Sequence, residues 1–540
     1  MSEETPSGSK SPNVARAGGI MLVSLLLSRI LGLVREMVIS GMFGPGADVD
    51  AFTLAFSLPD VLFFAIAGGA LSSAFIPVFS EYLHTERERE AWHIFSVVTT
   101  VMSTVVVLFI VIAWIFAEPM TRLLAQGKGE ELMPLIVHMT RILLPAQFAF
   151  FIGGLMFGTL YSRQVFAVPG LGPNVYNLGI IFGAAVLGHF FYPGVVGMAW
   201  GALAGATVGN LLIPWVVMRK LGSRFTPSFD VRHPGVKKVF ILMAPVVLGL
   251  SLPGVYDLIT RYFGSYYHDG VNSWLRFANQ LMQAPLGVFG QSLAIAIFPA
   301  LAQFYAQQKM DMYRMQLSST LRTVLYLTLP VCALFFVGAE PIVAALFQHG
   351  EFTRTDTLAV AQLLRIFALG IWAWCMHPVL MRGFFAVQSS VVPIVLGTVT
   401  TVVFVLLVLA LQGSMGYQAL PAASSISAVF LATIMMLAVQ RKVGKLDLKG
   451  IGATFAKSLL GSLLFAGATF GILSTPLGNL EGRGKLVSVL LLFLISVPGA
   501  WLYYFVTKWM GMPETKYVAR AMDRINRRTR PISQAEAGGD

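Results

Sequence analysis

Residues 24–82 read SLLLSRILGLVREMVISGMFGPGADVDAFTLAFSLPDVLFFAIAGGALSSAFIPVFSEY. Two apolar spans are joined there by a Gly-Pro-Gly turn at residues 44–46, and the first span contains Arg29, Arg35 and Glu36. Polar residues recur along the second span at three- and four-residue steps, on one helix face: Asp50, Thr53, Ser57 and Asp60. A charge near the centre of a membrane helix costs about 2.5 to 3.5 kcal/mol on insertion scales. These polar faces are therefore expected to line a cavity or to contact a partner helix.

The composition is that of a polytopic membrane protein. Of the 540 residues, 56% are hydrophobic and 12% are charged, and the mean hydropathy is +0.73, whereas soluble domains are about a quarter charged. Cys332 and Cys375 both lie in apolar spans, so neither a disulfide framework nor a cysteine-rich metal site is expected. The net charge is +12, but the basic residues collect in short loops and in the tail. That distribution indicates membrane topology rather than binding of nucleic acid.

The sequence predicts an all-α membrane fold with fourteen transmembrane helices, since a spanning helix needs about 20 apolar residues. Their predicted limits are 16–42, 50–80, 92–117, 133–161, 169–191, 195–219, 236–262, 271–302, 314–337, 358–386, 391–411, 416–440, 450–474 and 484–507. Basic residues follow the second, sixth and twelfth spans and fill the tail, so both termini are predicted to be cytoplasmic. The opposite loops are nearly free of basic residues, with these main exceptions: Arg122, Lys128, Arg354, Arg483 and Lys485.

An internal repeat relates two halves of the chain. Residues 71–82 (LSSAFIPVFSEY) resemble residues 293–304 (LAIAIFPALAQF), and a shift of 224 residues places Gln164 over Gln388. Six predicted spans separate equivalent positions, so the halves share one orientation and are expected to be related by an axis along the membrane normal. The predicted organisation is a disordered cytoplasmic N-terminus (1–15), an N-lobe of six helices (16–222), a C-lobe of six helices (233–444), two further helices (450–507) and a basic cytoplasmic tail (508–540).

The eighth predicted span carries a polar face that is expected to oppose the first two. Its residues recur at three- and four-residue steps: Asn272, Arg276, Asn279, Gln280 and Gln283. Guanidinium groups suit phosphate oxygens, and a pyrophosphate needs more than one of them, so the arginines of these spans are predicted to bind an anionic group. The amides either line the same cavity or only bond helix to helix. For Arg29 the alternative is an ion pair with Glu36, seven residues away.

No catalytic, nucleotide-binding or metal-binding motif occurs in a supporting context, and no soluble stretch is long enough for a catalytic domain. The chain is therefore predicted not to be an enzyme and to use no cofactor. Energy for transport is expected from the membrane potential or an ion gradient, because one charge moved through 100 mV is worth about 2.3 kcal/mol. Asp257 in the seventh span is the candidate for a coupling-ion site.

Seven motifs are spread over both predicted lobes: SRILGLVRE (28–36), FGPGADVDAF (43–52), AFIPVFSEY (74–82), GPNVYN (172–177), PLGVFG (285–290), LFQHGEFT (346–353) and RGFFA (382–386). In these motifs the chain resembles the MurJ (MviN) lipid II flippases of the multidrug/oligosaccharidyl-lipid/polysaccharide (MOP) exporter superfamily. The resemblance implies an inner-membrane protein that moves the undecaprenyl-pyrophosphate-linked peptidoglycan precursor, lipid II, from the inner to the outer leaflet by alternating access. Its implied partners are lipid II and membrane lipids, with peptidoglycan-synthesis proteins as further candidates.

The resemblance also implies a cationic central cavity for the pyrophosphate and a lateral gate between the first and eighth helices. It assigns functional roles to Arg29, Arg35 and Asp50. The chain departs from the family at two positions, because Phe63 and Gln280 stand where the family usually has basic residues. One hypothesis is that Arg276, a turn before Gln280, replaces the lost charge. The departures and the added Asp60 favour one alternative, a related exporter of another lipid-linked oligosaccharide or of a cationic drug. A second alternative, from another class, is a non-transporting scaffold that recruits cell-wall enzymes.

Overall fold

The structure, a computed structural model, describes residues 11–65, 70–85, 87–478 and 485–516. The described residues contain 22 α-helices and no strand, which confirms the all-α prediction. The helices are α1 (Ser11–Phe43), α2 (Ala47–Ala55), α3 (Ser57–Ala65), α4 (Ala70–His84), α5 (Glu88–Ile115), α6 (Ala117–Leu124), α7 (Met133–Leu143), α8 (Ala146–Ser162), α9 (Ala167–Ala185), α10 (Val195–Ala206), α11 (Ile213–Lys220), α12 (Pro234–Ser265), α13 (Val271–Pro285), α14 (Ser292–Ala306), α15 (Met310–Val337), α16 (Ala339–Phe347), α17 (Arg354–Ala368), α18 (Ile371–Ala386), α19 (Val391–Met415), α20 (Ala419–Val443), α21 (Leu448–Leu473) and α22 (Lys485–Trp509).

Many of these helices are long and apolar enough to cross a membrane. Within the described ranges nine helical segments qualify, or ten if the pair α17 and α18, bent by 50° at its break, counts as one span. One of the nine, Val391–Val443, contains α19 and α20, each 25 residues long and so able to span about 37 Å. The chain is therefore a multi-pass membrane protein, and the count of fourteen spans stays a prediction.

Two predicted segments differ in detail from the observed helices. The predicted span 50–80 is divided among α2, α3 and α4, with a break at Phe56 and residues 66–69 outside the described chain. Helix α1 begins at Ser11, within the segment 1–15 predicted to be disordered. Residues 1–10 of that segment and residues 517–540 of the predicted tail lie outside the described residues.

The turn between α1 and α2 needs glycine for two reasons. Gly44 has φ +61°, a conformation that side chains disfavour, and a Cβ there would lie 2.6 Å from the carbonyl oxygen of Glu351. The next residues start α2, whose first turn carries Asp48 and Asp50, where acidic groups complement the positive end of a helix. The Gly-Pro-Gly sequence therefore lets α1 end, the chain reverse, and the turn pack closely on residue 351.

The described chain forms two compact units. The first contains Met1–Gln280, Leu346–Val360 and Gly397–Ala423, and the second contains Leu281–Ala345, Ala361–Leu396 and Ser424–Asp540. These groupings follow packing and differ from the predicted lobes, whose boundaries stay a prediction.

Glycines allow the closest helix packing of the first unit, between α9 and α10. A Cβ on Gly201 would lie 2.3 Å from the carbonyl oxygen of Gly179 and 2.7 Å from Cα of Gly183. A Cβ on Gly183 would lie 2.5 Å from the carbonyl oxygen of Gly197. Small residues at four-residue spacing let membrane helices approach until their backbones touch. This close approach strengthens the van der Waals attraction between the helices, which matters because the hydrophobic effect does not drive helix association within lipid.

The second unit is stabilised by polar contacts among α15, α21 and the segment after α22. Arg322 donates from Nε to Glu514 Oε1 at 2.7 Å and to Thr454 Oγ1 at 3.0 Å. The Tyr503 hydroxyl donates to the carbonyl oxygen of Tyr326 at 2.7 Å. Arg322 is thus paired inside the protein through its guanidinium.

Local backbone geometry matches at positions that the internal repeat pairs. Gln164 and Gln388 have φ of +60° and +57°. At each, the glutamine backbone amide bonds to the carbonyl three residues earlier, and the following amide bonds to the carbonyl five residues earlier. Gly222 and Gly444, paired by the shift of 222 residues, have φ of +80° and +90°. The repeat therefore preserves helix-ending turns as well as apolar pattern.

Candidate substrate-binding site

Arg35 and Arg276 share one carboxylate, that of Glu36, inside the first unit. Arg35 of α1 donates to Glu36 Oε1 from Nε at 3.0 Å and from Nη2 at 2.6 Å. Arg276 of α13 donates from Nη2 to the same oxygen at 3.0 Å. The Glu36 side chain is 1% exposed, while 19% of the Arg35 side chain and 17% of the Arg276 side chain remain exposed. Two guanidinium groups and one carboxylate leave a local charge of +1, and we call these three residues the Glu36 cluster.

Two further helices orient the guanidinium groups of the Glu36 cluster. Arg35 donates from Nη1 to Asn177 Oδ1 of α9 at 3.0 Å, and the same amide donates to a carbonyl of α1 at 3.3 Å. Arg276 donates from Nη1 to Thr53 Oγ1 of α2 at 3.3 Å and lies 5.3 Å from the ring centre of Phe52. Planar guanidinium groups held by several partners lose little freedom when they bind a phosphate oxygen.

A second ion pair in the first unit joins α3 and α12. Arg261 donates from Nη1 to Asp60 Oδ2 at 2.7 Å. The negative charge that Asp60 adds is therefore paired with the positive charge of Arg261. Arg276 is electrostatically repelled by both Arg35 and Arg261. Across the two groups, three arginines face two carboxylates, so the excess charge is again +1.

The remaining predicted site residues occupy different environments. Arg29 of α1 is exposed, and Asp257 is exposed one turn before Arg261 on α12. Asn279 and Gln280 are half-buried in the first unit and have no hydrogen-bond partner among the described residues. Gln283, which belongs to the second unit, is half-buried and likewise without such a partner. The structure thus groups Arg35 with Arg276, and the roles of the other residues stay predictions.

Asp50 occupies a buried polar cluster at the start of α13. Its side chain is fully buried, and Lys128 Nζ lies 2.9 Å from Oδ2. The backbone amides of Gly270 and Ser273 donate to it at 2.9 and 2.7 Å, and the Ser273 hydroxyl donates at 2.6 Å. Lys128 also contacts Asp269 Oδ1 at 2.8 Å. Asp50 therefore caps a helix and has no surface for a ligand in this arrangement, so its predicted contact with substrate stays a prediction.

Helices α2 and α13 are joined both by the contact of Asp50 with Ser273 and by the contact of Thr53 with Arg276. Asp50 and Thr53 are three residues apart on α2, and Ser273 and Arg276 are three residues apart on α13. One pair of contacts therefore lies about one helical turn, roughly 4.5 Å, from the other. Contacts between α2 and α13 therefore follow the same order along both helices.

Sequence reasoning missed Arg261, Lys128 and Asn177. The signal for Arg261 was present, since Asp257 and Arg261 are spaced by four residues on one helix face. Lys128 stood out only as a basic residue in a loop otherwise poor in them, and its pairing with two aspartates explains how that loop tolerates the charge. Asn177 ends the GPNVYN motif, but nothing in the sequence shows that it reaches Arg35.

Comparison with solved structures shows which fold the chain has. The chain matches a structure described as "Inward-facing conformation of a multidrug resistance MATE family transporter of the MOP superfamily", with a TM-score of 0.62, 17% identity, and coverage of 78% of this chain and 97% of that chain. It also matches "Lipid II flippase MurJ, inward closed conformation", with a TM-score of 0.73, 22% identity, and coverage of 90% and 98%. The fold is that of MOP-superfamily transporters.

Comparison of sequences gives the family. The model of the family described as "Lipid II flippase MurJ" matches residues 39–480. "Probable lipid II flippase MurJ" of Buchnera aphidicola subsp. Acyrthosiphon pisum (strain APS) is 30% identical over 370 residues, which cover 68% of this chain and 72% of that protein. The chain belongs to the MurJ lipid II flippase family, a family of transporters rather than of enzymes.

Proposed function

We propose that the chain is a lipid II flippase that moves the undecaprenyl-pyrophosphate-linked peptidoglycan precursor from the inner to the outer leaflet of the cytoplasmic membrane. The observation that carries the proposal is the Glu36 cluster, in which guanidinium groups from α1 and α13 converge on a single carboxylate oxygen. Such a pair is suited to bridging the two phosphoryl groups of a pyrophosphate. Membership of the lipid II flippase family supports lipid II as the lipid that carries this pyrophosphate.

The chemistry of binding is an exchange of anions. A headgroup that bears sugars and pyrophosphate cannot cross hydrocarbon unaided, because each polar group would lose its hydrogen bonds to water. In the Glu36 cluster one carboxylate holds both arginines, yet each guanidinium stays partly exposed and keeps N–H groups for another acceptor. A pyrophosphate carries more negative charge than Glu36 and would compete for both arginines, while exposed Arg29 adds a third cation on α1.

The Asp50 cluster supplies the gating contact of this proposal. Alternating access requires a bundle end that closes and opens, and Lys128 joins Asp50 to Asp269 in the closed arrangement. With both termini cytoplasmic, as the basic residues predict, this end faces the outer leaflet. We expect the membrane potential or an ion gradient to drive opening, with Asp257 as the candidate coupling-ion site, and we expect no enzymatic activity.

Two arginines elsewhere on α12 and α13 supply the charge that is absent at Phe63 and Gln280 in this proposal. Phe63 packs against Phe151 at 5.6 Å between ring centres and makes no ionic contact. Arg261 and Arg276 provide two guanidinium groups from α12 and α13 instead. The proposal therefore assigns the compensation to both arginines, not to Arg276 alone.

The test is replacement of the resident flippase in a bacterium depleted of its own, with lipid II exposure measured by a leaflet-accessibility assay. Growth and outer-leaflet lipid II support the proposal. Tolerance to cationic drugs without growth would indicate an exporter, and neither result would indicate a scaffold that recruits peptidoglycan-synthesis proteins.

Variants test the assignment of the arginines. Chains that carry Arg276→Gln or Arg29→Gln are both expected to fail to restore growth and outer-leaflet lipid II in the depleted bacterium. The matched control is Arg141→Gln, because Arg141 lies in the same unit but rests on Trp114 at 5.1 Å, away from the Glu36 cluster. If Arg276→Gln transports normally while Arg29→Gln does not, Arg276 does not compensate for the missing basic residues.

A further inference from the structure

A cavity of about 200 Å³ lies within the first unit, among α3, α8, α9 and the end of α7. Four aromatic side chains line much of this aromatic cavity: Phe56, Phe63, Phe150 and Tyr176. The rings of Phe150 and Tyr176 meet edge to face, with centres 5.3 Å apart. The volume corresponds to roughly seven water molecules at their liquid density. The space is therefore sufficient for one substituted six-membered ring.

The aromatic cavity adjoins the Glu36 cluster through two of its lining residues. Arg276 lies 5.3 Å from the ring centre of Phe52, and that ring meets the ring of Phe56 edge to face at 5.1 Å. On α9, Asn177, which accepts a hydrogen bond from the other arginine of the cluster, directly follows Tyr176. Tyr176 interacts electrostatically with both of these arginines. A group attached to a phosphate that is bound by the Glu36 cluster therefore has this cavity beside it.

The polar groups of the aromatic cavity favour a neutral hydrogen-bond donor. Gln147 of α8 lines the cavity, is 5% exposed, and its buried Oε1 has no partner among the described residues. A buried amide oxygen without a donor is unfavourable, so a ligand that donates to it recovers a lost hydrogen bond. Asp60 also lines the cavity, but its carboxylate is already paired with Arg261 at 2.7 Å. The lining therefore offers an open acceptor without an unpaired charge.

This combination selects among ligand classes. A cation gains little, because the carboxylate is paired and Tyr176 lies in the field of three arginines. An anion would lie against the carboxylate of Asp60, and a hydrocarbon would leave Gln147 Oε1 unsatisfied. A sugar ring is neutral, carries O–H donors, and presents C–H groups of slight positive charge that suit the negative faces of aromatic rings. A mostly apolar pocket with one or two placed polar groups is typical of sites that recognise such a ring.

We infer that the aromatic cavity holds the sugar that is bonded to the pyrophosphate of the headgroup, an inference that rests on the proposed function. Gln147 Oε1 accepts a hydrogen bond from an O–H or N–H group of this sugar, and Phe150 and Tyr176 supply the aromatic faces. Gln147 is then a specificity-determining residue, because the guanidinium groups recognise any pyrophosphate and the cavity recognises the sugar. The site therefore distinguishes the sugar-bearing lipid from the same lipid pyrophosphate without its sugar.

The test measures the binding of two lipids to the purified full chain in detergent by native mass spectrometry. The lipids are undecaprenyl pyrophosphate and undecaprenyl pyrophosphate that carries one N-acetylglucosamine, so they differ by one sugar. The wild-type chain is expected to bind the sugar-bearing lipid about tenfold more tightly, since it fills the open acceptor. Gln147→Leu should reduce this preference to less than about threefold without changing the affinity for undecaprenyl pyrophosphate. The control Gln412→Leu changes an exposed glutamine of α19 and should keep the wild-type preference.

The outcomes separate the sugar subsite from the proposed function. If the wild-type chain binds neither lipid, the proposed function is wrong and the inference falls with it. If it binds both lipids with equal affinity, pyrophosphate binding stands and the sugar subsite is wrong. A full preference in Gln147→Leu, or an equal loss of preference in Gln412→Leu, would overturn the assignment to this cavity. Phe150→Leu removes one aromatic face and should also lower the preference, so the assignment is tested even if Gln147→Leu does not fold.

Discussion

Replacing Lys128 with methionine tests whether the buried Asp50 cluster holds one end of the first unit closed. The lysine side chain is 3% exposed and its ammonium lies 2.9 Å from Asp50 Oδ2. Methionine keeps most of the aliphatic stem in place, so the change removes a charge with little change in packing. The variant leaves Asp50 buried as an uncompensated carboxylate.

The magnitude follows from what Asp50 loses and what it keeps. Removing one partner of a buried ion pair typically costs about 3 to 5 kcal/mol. Asp50 keeps three hydrogen bonds, two from the amides of Gly270 and Ser273 and one from the Ser273 hydroxyl. We therefore expect about 2 to 3 kcal/mol, which at about 1.36 kcal/mol per factor of ten raises the local opening equilibrium roughly 30- to 160-fold.

Amide hydrogen exchange at Gly270 and Ser273 measures this opening directly, because both amides donate to Asp50. The matched control is Arg122→Met, in the same chain connection, where Arg122 pairs with Glu118 at 3.1 Å and is 40% exposed. Exposed pairs contribute about 0 to 1 kcal/mol, so exchange at Ser273 should change less than about fivefold in the control. If the amides of Gly270 and Ser273 exchange at the same rate in the Lys128→Met and Arg122→Met variants, Lys128 does not hold this end of the first unit closed. The proposed gating role of the Asp50 cluster would then be wrong.

Two other substitutions test the Glu36 cluster and the glycine packing. Glu36→Gln leaves two partly exposed guanidinium groups facing one neutral amide and should lower the free energy of unfolding by about 3 kcal/mol, measured by thermal unfolding in detergent. Glu130→Gln removes one partner of an exposed pair and should change the free energy of unfolding by less than about 1 kcal/mol. Equal effects would mean that the buried carboxylate of Glu36 is not the stabilising partner. Gly201→Ala would place a Cβ 2.3 Å from the carbonyl oxygen of Gly179 and should destabilise the chain by about 1 to 3 kcal/mol in the same unfolding measurement. Gly467→Ala, with open space around it, should be neutral or slightly stabilising, and a harmless Gly201→Ala would show that α9 and α10 separate easily.

The pairing of α2 with α13 links gating to binding in one physical element. Ser273 contacts Asp50, and one turn later Arg276 contacts Thr53 and Glu36. A movement that separates the two helices would break the Asp50 contact and shift Arg276 away from Arg35 at the same time. Opening of the closed end is therefore expected to weaken the hold on an anionic headgroup, which favours its release.

Most of the fold could be predicted from the sequence, because membrane spans and their orientation depend on local properties. These are the length of each apolar segment and the position of the basic residues in the loops. The all-α class and the apolar spans follow from such local patterns, whereas the turns at Gln164 and Gln388, two positions that the repeat pairs, are seen only in the structure. The break at Phe56 within the second predicted span was missed, although Pro59 has no N–H to donate to the carbonyl of Ala55, which accepts from the Thr140 hydroxyl instead. The polar face of α13 was also predicted, and it places Arg276 correctly towards the first helices.

Tertiary structure alone decided which charges meet. The sequence by itself determined that Arg35, Glu36, Asp50, Asp60 and Arg276 lie in membrane helices and need partners. It could not assign those partners, since Glu36 and Arg276 are 240 residues apart and Coulomb attraction depends on distance in space rather than along the chain. Packing of α1, α2, α9 and α13 brought two guanidinium groups to one carboxylate, and packing of α3 on α12 assigned Asp60 to Arg261. A low-dielectric interior makes those pairings strong, so the charge of the site is a property of the assembled helices.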